Sequence, residues 1–194
     1  MRGGCMEEEK FKKEKSDLWE WIKALVIAFL LAALIRFVLF TPIVVDGESM
    51  MPTLESGERM IVNKLNYKVG DIQRFDIVVF HAPEKKDYIK RVIGVPGDTL
   101  EYKNDQLYIN DKKVNETYLQ DYKNQIVDGG TLTEDFSLLD YTGKKIIPKG
   151  YYFVMGDNRR NSKDSRHIGL VSEEKIVGKA SVVFWPIENF GTID

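Results

Sequence analysis

After Thr41 the chain breaks into short runs dense in Val, Ile, Tyr and Phe, punctuated by Gly, Pro, Asn and Asp. The runs are Ile43–Asp46, Arg59–Lys64, Asp76–His81, Tyr88–Val95, Thr99–Lys103, Gln106–Asn110, Tyr151–Met155 and Lys179–Trp185. Runs of this length and composition between turn formers read as strands. Leu107–Val114 reads as a hairpin. Only Ser172–Ile176 looks briefly helical, with Ser172 as its N-cap. The expected fold is an all-β body, barrel- or sandwich-like, behind one N-terminal helix. After the hairpin, up to about Ile146, the chain is polar and weakly periodic, too long for a plain connection. The expected organisation is a tail (1–18), an anchor (19–40), a β body in two parts (41–103 and 150–194) and an inserted lobe (104–149).

The helix is the apolar stretch before the strands. Ala24–Ile35 gives only 12 uncharged residues, too few to cross roughly 30 Å of hydrocarbon. Trp19–Phe40 gives 22 residues, about 33 Å as a helix. That length suits a membrane span if Glu20, Lys23 and Arg36 sit near the interfaces, with Arg36 snorkelling. Trp19 and Trp21 suit one interface, and Pro42 stops the helix. Arg2, Lys10, Lys12, Lys13, Lys15 and Lys23 precede the core, and no Lys or Arg follows the span before Arg59. The positive-inside rule therefore puts the N-terminus in the cytoplasm and the body on the outer face of the cell membrane. A cleaved leader is the rival reading. Arg36 and the absence of a small-x-small site argue against it.

Composition narrows the function. Hydrophobic residues make up 43% and charged residues 30%, as in a folded globular chain. A net charge of −2 speaks against nucleic acid as a partner. Cys5 is the lone cysteine, so no internal disulfide supports the fold.

Three segments carry candidate chemistry. Val45–Leu54 places Ser49 in a Gly-started turn, beside Met50 and Met51. It lacks the second glycine of a G-x-S-x-G elbow, so an α/β-hydrolase is not expected. By itself Ser49 reads as a loop serine that caps something. The methionines suggest a peptide- or lipid-facing surface. Tyr88–Asp98 places Lys90 inside an apolar strand, sharing a face with Tyr88 and Val92. Most strand lysines sit on a solvated face. A buried one would lose proton affinity and could act as a neutral base. Gly156–Arg166 is dense in Asp, Asn, Ser and Arg. It reads as a solvated loop, and it lacks the spacing of a calcium loop. A histidine triad could draw only on His81 and His167.

These blocks (SMMPT, then KRVIGVPGD, then GDNRRNSKDSR) occur in the order found in the type I signal peptidases, which the chain resembles in their short, single-anchor bacterial form. The resemblance implies a membrane-anchored Ser–Lys endopeptidase that removes signal peptides from secretory preproteins. It needs neither metal nor cofactor, and its partners are preproteins and membrane lipid. Ser49 is then the nucleophile and Lys90 the general base. Ser162 donates a hydrogen bond that orients Lys90. Asp157, Asp164 and Arg166 hold the loop, with Arg91 pairing one of these carboxylates. The Ser49 backbone N–H serves the oxyanion, and some relatives add a serine hydroxyl where this chain has Gly47. Ile43, Val45, Met50 and Ile89 are expected to wall a pocket for small side chains at the first and third positions before the cut. A non-catalytic membrane-anchored β-barrel binding module is one alternative, and a cytosolic self-cleaving Ser–Lys regulator is another.

Overall fold

The computed structural model describes residues 19–33, 40–64, 72–127 and 129–193. The chain divides into two compact units, Met1–Phe40 and Thr41–Asp194. In the first, residues 19–33 are helical and Trp19, Trp21, Leu25, Ile27, Phe29 and Leu30 are exposed. The tail 1–18 and residues 34–39 of the expected anchor lie outside the described residues.

The expected helix over Trp19–Phe40 is corrected here. Phe40 already belongs to strand β1 (Phe40–Val44), so Pro42 sits within a strand and does not end a helix. The β-branched residues Thr41, Ile43 and Val44 favour extended backbone there. No helix among the described residues is long and apolar enough to cross a membrane.

The second unit is mostly β. Its larger sheet contains β2 (Arg59–Asn63), β3 (Ile77–His81), β4 (Asp87–Gly94), β9 (Tyr151–Met155), β10 (Val171–Ser172), β11 (Ile176–Trp185) and β12 (Gly191–Thr192). The order is β1-β2-β11-β3-β4-β9-β10, with β12 on β11. β5 (Leu100–Lys103), β6 (Gln106–Ile109), β7 (Lys112–Val114) and β8 (Phe136–Ser137) form a smaller sheet in the order β7-β6-β5-β8. The β6–β7 hairpin turns at Asn110 and Asp111, both with positive φ, as a two-residue hairpin loop requires. The smaller sheet takes in β5, four residues earlier than the expected start of the lobe at 104.

Alternation places the cores. On β3, Ile77 and Val79 enter one core with Val45, Met50, Leu54 and Met60. Val78 and Phe80 enter another with Val92, Tyr152 and Val154. A third core joins Ile93 and Phe153 of the large sheet to Tyr102, Leu107 and Phe136 of the small one. The central strands are thus buried on both faces, which leaves Lys90 on β4 no solvated side. The expected short helix at Ser172–Ile176 shrinks to a 3-10 turn, Glu173–Lys175. Ser172 makes no side-chain cap there, and Ile176 opens β11. Short helices at Gln120–Asn124, Leu138–Thr142 and Ser165–Ile168 add to an otherwise β unit.

Candidate active site

The Ser49 turn is pinned from both sides. Gly47 adopts φ +99°, a conformation natural to glycine. Met50 is 1% exposed and Leu54 is fully buried, and the Leu54 N–H bonds to the Met50 carbonyl at 3.0 Å. Met50 is therefore an anchor in the core, not part of the exposed surface its sequence suggested. The loop after β9 presses on the other side. The Asn158 N–H donates to the Ser49 carbonyl at 3.1 Å and its Nδ2 to the Glu48 carbonyl at 3.2 Å. Thr53 Oγ1 donates to Asp157 Oδ2 at 2.5 Å. Only glycine allows this approach at 156. A Cβ there would stand 2.3 Å from the Ser49 carbonyl oxygen and 2.2 Å from Ser162 Oγ.

Lys90 reaches Ser49 from β4. It pairs in register with the fully buried Val78 and is itself 4% exposed. Its Nζ lies 2.6 Å from Ser49 Oγ and donates to the Ile89 carbonyl at 2.9 Å. The Tyr88 ring centre is 5.2 Å away. Burial lowers the Lys90 pKa to about 8, while the charges of Asp164 and Asp157 pull it back upward. A buried ammonium lacks hydration, so the neutral amine gains.

The remaining candidates surround this pair. Arg91 is fully buried and forks onto Asp157, Nε to Oδ1 at 3.0 Å and Nη2 to Oδ2 at 2.9 Å. Arg166 grips Asp164 through Nε and Nη2 at 2.9 and 2.8 Å. Asp164 also accepts the Gly156 N–H at 3.1 Å and caps the helix Ser165–Ile168 through the Arg166 N–H. Burial pushes the Asp164 carboxyl upward, but Arg166 and the Gly156 N–H outweigh it and hold the pKa below the ordinary value. Ser162 departs from its expected role. Its Oγ is buried on the Asp164 side and makes no hydrogen bond to Lys90, whose Nζ donates to the Ile89 carbonyl instead.

An open cleft of about 670 Å³ runs past Ser49 and Lys90. Ile43, Val45, Met50 and Ile89 all line it, with the rim residues Glu84 and Lys163 paired to each other. His81 bonds Asp87 at 2.6 Å at the exposed end of β3, and His167 lines a different cleft with Arg160 and Arg166. Neither histidine is bonded to Ser49. Among the described residues no group of three or more His, Cys, Asp and Glu could hold a metal ion.

Several contacts carry little signal in the sequence. Thr53 lies inside the SMMPT block, and its bond to Asp157 has no sequence signal beyond that closeness. Glu116 and Tyr118 sit in the weakly periodic lobe yet reach Arg159 and Arg91. A carboxylate buried to 7% exposure could have been sought as the partner of Arg159, but its position along the lobe carries no pattern.

Comparison with known proteins places this arrangement. The family described as signal peptidase, peptidase S26, matches residues 18–185. Signal peptidase I of Bacillus caldolyticus is 52% identical over 181 residues, covering 93% of this chain and 97% of that one. Signal peptidase IB of Staphylococcus aureus is 47% identical over 180 residues, 91% of this chain and 94% of its own. The crystal structure of a signal peptidase I from Enterococcus faecalis superposes with a TM-score of 0.55 at 40% identity, covering 57% of this chain and 97% of that one. The β unit and its cleft are thus those of a serine protease. The chain belongs to the signal peptidase family, peptidase S26.

Proposed function

We propose that this chain removes signal peptides from secretory preproteins, with Ser49 as nucleophile and Lys90 as general base. The observation that carries the reading is the 2.6 Å approach of Lys90 Nζ to Ser49 Oγ inside a buried site. Neutral Lys90 takes the Ser49 proton as Oγ attacks the scissile carbonyl carbon. The Ser49 N–H is assigned as a donor to the oxygen on which charge develops. As the tetrahedral intermediate collapses, the lysine gives its proton to the leaving amine, and an acyl-enzyme remains. Water then attacks the ester carbonyl as neutral Lys90 takes its proton, and Lys90 returns that proton to Ser49 Oγ as the ester breaks, releasing the signal peptide and restoring both side chains. Arg91–Asp157 and Arg166–Asp164 keep the loop behind the pair in place. Ile43, Val45, Met50 and Ile89 offer an apolar wall that suits small side chains.

The pH profile tests the base. A lysine with its pKa lowered to about 8 is mostly protonated and idle at pH 6, and mostly neutral and active at pH 9. The rising limb of kcat/KM should therefore centre near 8, not near the ~10.4 of a free lysine. A limb near 6.5 that disappears in His167→Ala would transfer the role of base to an imidazole.

The apolar N-terminal segment is proposed to hold the enzyme at the membrane with the β unit outside. Its exposed Leu25, Ile27, Phe29 and Leu30 need a lipid or protein covering. Protease added to spheroplasts should digest the chain beyond Thr41 and spare residues 1–18. Digestion of the tail instead would reverse the topology. Removing residues 1–40 should reduce turnover of membrane-embedded preproteins more than turnover of short peptides, because the anchor raises the effective concentration of enzyme near substrate.

A further inference from the structure

Behind the cleft lies a second buried polar cluster that the roles above do not use. Arg159, 2% exposed, donates through Nη2 to Glu116 Oε1 at 2.6 Å and to the Tyr118 hydroxyl at 3.0 Å. Its Nη1 donates to the Tyr102 hydroxyl at 2.7 Å. The hydroxyls of Tyr102 and Tyr118 both donate to Glu116 Oε1, at 2.7 and 2.8 Å. The Tyr118 ring also covers the Arg91 guanidinium at 3.9 Å. Two arginines flanking the Ser49-binding loop thus rest on one short segment of the lobe.

Those arginines lead to the nucleophile by an unbroken set of contacts. Arg91 fixes Asp157, and Asp157 accepts from Thr53 of the Ser49 turn. Arg159 Nε donates to the Gly156 carbonyl at 3.0 Å. Asn158, between them, holds the Ser49 and Glu48 carbonyls. Neither Glu116 nor Tyr118 belongs to any of the three apolar cores. Their polar bonds and one ring face meet the arginines, while the Tyr118 ring also meets Phe75 edge-on at 5.4 Å.

We propose that Tyr118 and Glu116 are positioning residues for peptide cleavage, holding Arg91 and Arg159 so that the 156–160 loop sets Ser49 against Lys90. The ring holds the Arg91 guanidinium by a cation–π contact while Nη1 donates to the Phe75 carbonyl and Nε and Nη2 fork onto Asp157. This rests on the Ser–Lys reading above, and it gives the lobe a part in the chemistry. Displacing a reacting group by about 1 Å can lower a rate on the order of 100-fold.

The experiment compares Tyr118→Leu, Tyr118→Phe and Glu116→Gln in the full chain. Active sites are titrated to completion with a serine-acylating reagent, and kcat per titrated site and KM are measured on a short peptide. Tyr118→Leu should lower kcat per site by roughly 10–100-fold with KM within about twofold. Tyr118→Phe keeps the ring on Arg91 and should recover most of that loss. A structural role alone would lower the titre and leave kcat per site at the wild-type value, and that result overturns the proposal. If Tyr118→Leu does not fold, Glu116→Gln decides in its place: reduced kcat per site supports positioning, and the wild-type value sinks it. Ser49→Ala and Lys90→Ala run alongside. Their retaining turnover would refute the Ser–Lys reading itself, separately from the part given to Tyr118.

Discussion

Ser49→Ala and Lys90→Ala should each lower kcat by at least about 10⁴-fold, and the double variant should be little worse than either alone. Nucleophile and base act as one unit: without the amine the hydroxyl keeps its proton, and without the hydroxyl the amine has nothing to activate. Both variants should fold. Ser49 contributes little packing, and Lys90→Ala removes a buried cation whose burial already opposes the charged form. Single-turnover assays on a synthetic signal peptide, with circular dichroism as the folding control, measure this. Near-normal turnover in Lys90→Ala would end the assignment of the base.

The second large effect is on stability. Asp157→Ala should destabilise the β unit by about 3–5 kcal/mol, because it strands the fully buried Arg91 guanidinium. For a chain of this size that corresponds to a fall in Tm of roughly 6–20 °C. Thr53 loses its acceptor in the same change. Replacing both partners with apolar residues (Arg91→Met with Asp157→Leu) should cost less stability than Asp157→Ala alone, since no uncompensated charge remains. Calorimetry on the two variants decides it. A single variant as stable as the double would mean that water or another group reaches Arg91.

Much of this architecture is legible in the residues. Strands follow the Val, Ile, Tyr and Phe runs because alternating faces must find cores, and the Asn110–Asp111 turn announces its hairpin. Ser49, Lys90 and the Gly156–Arg166 loop stand out through the order of their three blocks, since singly each reads as an ordinary loop serine, strand lysine or solvated loop. Boundaries are less legible. Pro42 reads as a helix stop until the pairing of β1 with β2 is known, since tertiary pairing overrides local signals. Met50 reads as exposed until its neighbours in the core are known. The burial of Lys90 also depends on neighbours far along the chain: its strand lies between β3 and β9, and no local pattern says that both faces of that sheet are covered. Glu116 and Tyr118 were invisible for the same reason, as their contacts cross from an irregular lobe to arginines 41 to 43 residues ahead in the Arg159 case.

The contacts of Asn158 and Asp157 with the Ser49 turn join segments more than 100 residues apart. During synthesis, Ser49 and Lys90 leave the ribosome well before β9 and the Gly156–Arg166 loop exist. At 5–20 residues per second that interval is roughly 4–15 s. Until β9 pairs with β4, Lys90 has one open flank, stays hydrated and keeps its proton. With Ser49 and Lys90 in the roles proposed above, a nascent chain that holds both side chains is therefore not yet a protease. On that reading hydrolytic power arrives only with the last quarter of the polypeptide, after the segments a premature protease could nick have already been made.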